Sequence, residues 1–202
     1  MWFVTARLIF WILALVVSLF AIRNREKNFQ KKLKLIFLTI AIVGYFLSGF
    51  ILIENYVMTF SSPEAIFHYI NTGKPNIILD GQQTTMVVAA DNEKSTFVIV
   101  PKGDGGWKLN TGIEQKEVLF EILGTMRLTV YRYDGTNDYY IMIYEIGGNP
   151  IEVSDKNGSE FIIYSYPEDE IESTIYTYYA YIKNYDGHYE LNVNDELIQL
   201  DF

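Results

Sequence analysis

Two histidines and a scatter of carboxylates are the side chains in this sequence with the means to do chemistry. His68 and His188 lie 120 positions apart, and neither stands in an H-E-x-x-H pattern. G-x-S-x-G, phosphate-loop and dinucleotide fingerprints are absent as well. The chain has no Cys, which excludes disulfides, thiolate zinc sites, Cys nucleophiles and a lipid-modified Cys anchor. No catalytic residue, metal ligand or cofactor-binding residue is assigned, and no cofactor is expected.

Three acidic stretches remain. "DGTND" (134–138) and "DKNGSE" (155–160) place carboxylates and amides around a turn, as oxygen-based calcium sites do, but neither has the EF-hand spacing. Both read as turn-forming Asp and Asn. "EDEIE" (168–172) reads as a solvated loop after Pro167. Paired carboxylates for glycoside hydrolysis depend on a distance that only the fold defines.

Aromatic residues form the other candidate surface. Fourteen of the sixteen Tyr lie beyond residue 60, crowded into "YRYDGTNDYYIMIY" (131–144) and "IYTYYAYIKNY" (175–185). In the second stretch Tyr176 and Tyr178 share one strand face, and Tyr179 and Tyr181 the other. That predicts a central strand covered on both sides. Trp107, Tyr176, Tyr178 and Tyr189 are the candidate platform for a glycan or peptide; core and cross-strand packing is the competing reading.

These side chains need elements to hold them, and charge divides the chain in two. Residues 1–60 carry seven Lys/Arg against two Glu; residues 61–202 carry nine against twenty-three Asp/Glu. The second part is too acidic for nucleic acid, which demands clustered Lys and Arg.

The first part contains two apolar runs, "LIFWILALVVSLFAI" (8–22) and "LIFLTIAIVGYFLSGFILI" (35–53). They predict transmembrane helices over about 4–22 and 35–55, in a membrane region 1–60, with Arg7 reaching the headgroups. The basic "RNREKNFQKKLK" (23–34) is then a cytoplasmic loop. This gives a two-pass cell-membrane protein with both termini extracytoplasmic. Ala14/Ser18 and Gly44/Ser48 are small-residue pairs suited to close helix packing, within the hairpin or to a partner. A lipid bilayer is the expected partner, with a second membrane or wall component beside it.

Residues 61–202 predict a mainly β extracytoplasmic domain of antiparallel hairpins, led by one short helix in "SSPEAIFHYINTGK" (61–74). Ser62 is its N-cap, Pro63 its first residue and Gly73 its end. Strands are expected near 76–79, 84–90, 95–101, 106–109, 117–122, 126–133, 138–146, 160–166, 174–183, 187–193 and 196–200. Thr111 and Glu114 have capping-box spacing, yet the alternation of Val118, Phe120 and Ile122 favours a strand. Asp-Gly at 80–81, 104–105, 134–135 and 186–187, and Asn-Gly at 157–158, read as hairpin turns.

"FVIVPKGDGGWKLN" (97–110) aligns with "YAYIKNYDGHYELN" (179–192), sharing Asp-Gly, an aromatic and Leu-Asn. Two half-repeats (about 63–110 and 111–202) and convergent turn chemistry both account for it. Trp107 and Tyr189 are expected at equivalent, buried positions after equivalent turns. "SSPEAIFHY", "TFVIVPKG" and "GGWKL" resemble a loose group of uncharacterised membrane-anchored surface proteins of Gram-positive bacteria. The resemblance implies a cell-surface location and supplies no catalytic residue.

The functional expectation is a non-enzymatic binding or interaction protein. The alternatives are an accessory subunit docking through Gly44/Ser48, and a wall-glycan enzyme using paired carboxylates.

Overall fold

A computed structural model describes residues 2–22, 27–48, 52, 54–91, 95–110, 112–146, 149–168 and 173–202. Two long helices come first, α1 (Trp2–Ala21) and α2 (Lys27–Leu47). Two short ones follow, α3 (Glu54–Val57) and α4 (Pro63–Ile70). Twelve strands complete the described chain.

The predicted membrane spans require correction. Among the described residues no helix is long and apolar enough to cross a membrane. In α1 the charge-free part begins after Arg7 and ends at Ala21, roughly 21 Å of helix against the ~30 Å hydrocarbon core. In α2 the first turns are polar, "KNFQKKLK", and the helix stops at Leu47 with a turn at Ser48. Its apolar part, Leu35–Leu47, is therefore only about 20 Å long. The run 35–53 looked continuous because hydropathy does not register where a helix ends. The two-pass topology, the cytoplasmic placement of 23–34, the extracytoplasmic placement of the termini and the cell-membrane location fall with it.

Arg7 does not reach outward either. It is nine-tenths buried and makes a two-pronged contact with Glu54, Nε to Oε1 at 3.0 Å and Nη2 to Oε2 at 2.8 Å. Within the hairpin, Gly44 lets the Trp11 indole lie on α2; a Cβ there would run into the ring. Ser18 donates to the Ala14 carbonyl and Ser48 to that of Tyr45. Gly44 of the second small-residue pair thus packs the two helices against each other.

The mainly β part is as expected, and all its strand pairs are antiparallel. The first sheet runs β1 (Ile77–Asp80), β2 (Thr84–Ala89), β3 (Thr96–Gly103), β4 (Gly106–Trp107). In the second, β5 (Gln115–Leu123), β6 (Met126–Tyr133) and β7 (Tyr139–Ile146) are followed by β10 (Ser173–Ile182) and then β9 (Ile162–Glu168). The third runs β12 (Glu196–Leu200), β11 (Tyr189–Val193), β8 (Val153–Asp155). β8 was missed in the sequence because three residues, "VSD", carry no periodicity.

Side-chain alternation stacks these sheets. On β2, Val87 and Ala89 pack with Ile66 and Phe67 of α4, while Met86 and Val88 face the second sheet. On β10, Tyr179 and Tyr181 face the first sheet, while Tyr178, Ala180 and Ile182 face the third. The order of layers is helix α4, first sheet, second sheet, third sheet, with an apolar core at each junction. The expectation of a strand near 174–183 covered on both faces holds, with β10 ending at Ile182.

α4 is capped as its sequence says: Ser62 Oγ accepts from the Ala65 amide at 3.2 Å and Pro63 opens the helix. It ends at Ile70 rather than at Gly73, because Asn71 is already extended. Residues 63–110 and 111–202 do separate as the first sheet and the other two, but their strand orders differ, so they are not copies of one unit. The acidic run 169–172 and Thr111 lie outside the described residues.

Candidate functional site

Three features lie outside ordinary packing: a buried carboxylate knot, a joint between helices and sheets, and a cleft.

The knot is built on Asp138, which has 2% exposure. Its Oδ2 accepts from the Gln83 amide (2.7 Å), the Thr84 amide (2.6 Å) and Thr84 Oγ1 (2.9 Å). Its Oδ1 accepts from the Gln82 amide and from the Tyr181 hydroxyl, both at 3.0 Å. Tyr140 and Thr84 hydroxyls meet at 2.8 Å. Burial, then the charge of Asp138 and the bond donated to it, push the Tyr181 hydroxyl up to about 12. Burial also drives Tyr140 far above its ordinary value, against the bond to Thr84. Gly81 completes the knot, since a Cβ there would lie 2.6 Å from the Tyr140 oxygen. Every Asp138 oxygen is occupied by an internal donor, so the knot locks the β1–β2 loop of the first sheet onto the second.

The joint consists of Arg7–Glu54, of Asn55, and of Phe60. Asn55 exchanges two hydrogen bonds with the Leu109 backbone, at 2.8 and 2.9 Å. Phe60 and Trp107 exchange backbone bonds at 3.0 and 3.1 Å. Burial raises the Glu54 carboxyl, but bonds from Arg7 and the backbone, the Arg7 charge and a bond from Tyr69 outweigh it, leaving the pKa below its ordinary value. The hairpin is thus fixed to the first sheet rather than tethered loosely.

The cleft lies where the ends of the second and third sheets meet. It holds about 570 Å3, bounded by the β5–β6 turn, the end of β7 and the β11–β12 turn. Glu145 stands in it. Along β7, Tyr139, Ile141 and Ile143 point into the core shared with the third sheet, and Glu145 takes the next position of that stripe. It has 7% exposure, and its Oε1 accepts from Thr125 Oγ1 at 2.6 Å.

The sequence-predicted residues are dispersed. Tyr178 and Tyr189 are buried in the core between the second and third sheets, with Tyr176 half-buried beside it. Trp107 lies in the core under α4, its Nε1 donating to Thr85 Oγ1. The four do not form one open platform. Trp107 and Tyr189 are not equivalent either. Asp104–Gly105 closes the β3–β4 hairpin, whereas residues 183–188 carry the chain from the second sheet to the third. The Asn157 turn is likewise a passage between sheets; its Nδ2 donates to the carbonyls of Lys183 and Asn184. Tyr189 donates to Asp155, and Asp155 accepts from the Ser159 amide. Asp134 pairs with Lys116 at 2.8 Å. Both acidic turns are occupied by protein donors, and among the described residues no group of three or more His, Asp or Glu side chains is placed to hold a metal. His68 and His188 are exposed.

Sequence reasoning missed Glu145 and Glu54. For Glu145 there was a signal, a carboxylate at the position where "YYIMIYE" calls for an apolar residue. For Glu54 there was none, since its partner is 47 residues away. Among the described residues the buried carboxylates of the β part, Asp138 and Glu145, stand at opposite ends of β7, about 24 Å apart at the rise of a strand. That is too far for these two to serve as a glycosidase pair, which needs roughly 5–10 Å.

No protein-family model, no curated protein and no solved structure matches the chain.

Proposed function

We propose that this is a non-enzymatic interaction protein in which the helical hairpin is the attachment element and the layered β part is what it holds in place. One observation carries the reading. The charge-free parts of the hairpin, Leu8–Ala21 and Leu35–Leu47, are apolar and largely exposed: Val17, Phe20, Leu35 and Phe46 each keep about two-thirds of their surface open. A helix apolar all round belongs inside something larger, because so large an apolar surface is costly to leave in water. The rigid joint supports the same reading, since it fixes the direction in which the β part is presented.

Photo-crosslinking groups at Phe20 and Phe46 of the full chain, with one at Asp195 as control, test the proposal in native extracts. The expected result is one discrete crosslinked partner from the first two positions and none from the third. Flotation with phospholipid vesicles separates a lipid partner from a protein one. A full chain that stays monomeric and dispersed in plain buffer, with no crosslink at either position, would overturn the reading.

A further inference from the structure

Burying an ionised carboxylate in an apolar stripe costs several kcal/mol unless something compensates it. Asp138 meets that cost with five donors. Glu145 accepts from Thr125 Oγ1, and among the described residues no ion pair includes it. The residues lining its cleft include no Lys, Arg or His. The walls are apolar side chains, Leu123, Met126, Ile151, Val193 and Ile198, and a second carboxylate, Glu196, stands among them. At about 570 Å3 the space is of the size that encloses a small organic molecule.

We infer that this cleft is a binding site for a small organic ammonium ion, a cation with an alkyl body. The ammonium group would pair with Glu145 and donate to the carboxylate oxygen that Thr125 leaves open. The alkyl part would cover Met126, Val193 and Ile198, and Glu196 would draw the cation in. The acidity of residues 61–202 favours the same sign of ligand. The inference goes beyond the interaction reading and does not depend on what covers the hairpin.

The test uses the full chain with n-hexylammonium as probe and n-hexanol as its uncharged isostere, followed by calorimetry or by chemical shifts of Thr125 and Met126. Hexylammonium should bind, and hexanol should bind at least ten-fold more weakly. Glu145→Gln should weaken hexylammonium by ten-fold or more and leave hexanol unchanged. Val193→Phe, which fills the cleft and keeps Glu145 in the sequence, should abolish both, and it keeps the test informative if Glu145→Gln fails to fold. Equal binding of the two probes, no binding of hexylammonium, or full binding to Val193→Phe would each overturn the inference.

Discussion

Asp138 and Gly81 show how one side-chain position can carry a layer junction. Asp138→Ala would leave the Gln82, Gln83 and Thr84 amides and the Tyr181 hydroxyl without this acceptor, and each buried donor left unsatisfied costs about 1–3 kcal/mol. Relaxation recovers part of this, so a loss of about 4 kcal/mol is expected in denaturant unfolding, with Asp138→Asn intermediate. A loss below 1 kcal/mol would mean that the loop finds other acceptors. Glu54 acts through its ionised form, which holds the bonds from Arg7 and the backbone as well as the Arg7 charge. Its folded pKa is lowered, so its contribution is complete above the ordinary carboxylate value of 4.5 and is lost as pH falls through the lower folded value. Hydrogen exchange at α3 and α4 should therefore accelerate below that pH in the native chain. Glu54→Gln should remove the pH step and weaken protection at neutral pH, because Arg7 stays buried without its counter-charge. An unchanged acid limb in Glu54→Gln would show that the joint does not depend on ionisation.

At the scale of elements, strand β5 shows both what pattern reveals and what it conceals. Alternation in "VLFEIL" identified a strand over a capping-box helix, and Gln115–Leu123 is one. Plain alternation would place Val118, Phe120 and Ile122 on one face, which the strand does not do. A bulge between Glu117 and Leu119 turns Val118 and Leu119 both toward the core, and leaves Phe120 and Ile122 exposed on an edge strand. Leu119→Ala should cost about 2 kcal/mol, whereas Phe120→Thr and Ile122→Thr should each change stability by less than about 0.5 kcal/mol. The reverse order in urea unfolding would restore plain alternation. Turns behaved similarly. Asp-Gly fixes a local bend, and three of the five Asx-Gly pairs do close hairpins; at 157–158 and 186–187 the same bend carries the chain into another sheet. Strand existence was legible because it is local. Sheet order, the Asp138 knot and the cleft around Glu145 were not, because they join residues tens of positions apart. The apolar runs 8–22 and 35–53 misled for a related reason: their composition was visible, but the end of α2 at Leu47 and the inward turn of Arg7 were not.

In the whole molecule, the three cores are not independent, because adjacent cores share strands. β2 faces α4 with Val87 and the second sheet with Met86; β7 and β10 face the first sheet with Tyr140 and Tyr179 and the third with Ile141 and Tyr178. Losing the core beside the third sheet loosens β7 and β10, which removes one wall of the middle core, and so strains β2. Damage at one end should therefore be read at the other. Ile143→Ala opens a cavity in the core furthest from α4 and should cost about 2–5 kcal/mol. Trp107, in the core beneath α4, reports from the opposite end. With Trp2→Phe and Trp11→Phe removing the hairpin's indoles, the Trp107 emission transition and the far-UV circular dichroism of the β part should coincide. Both should move by the same amount when Ile143→Ala is added. If Trp107 kept its midpoint while the dichroism shifted, the layers would unfold separately, and the Asp138 knot would be a contact between two folding units rather than a link within one.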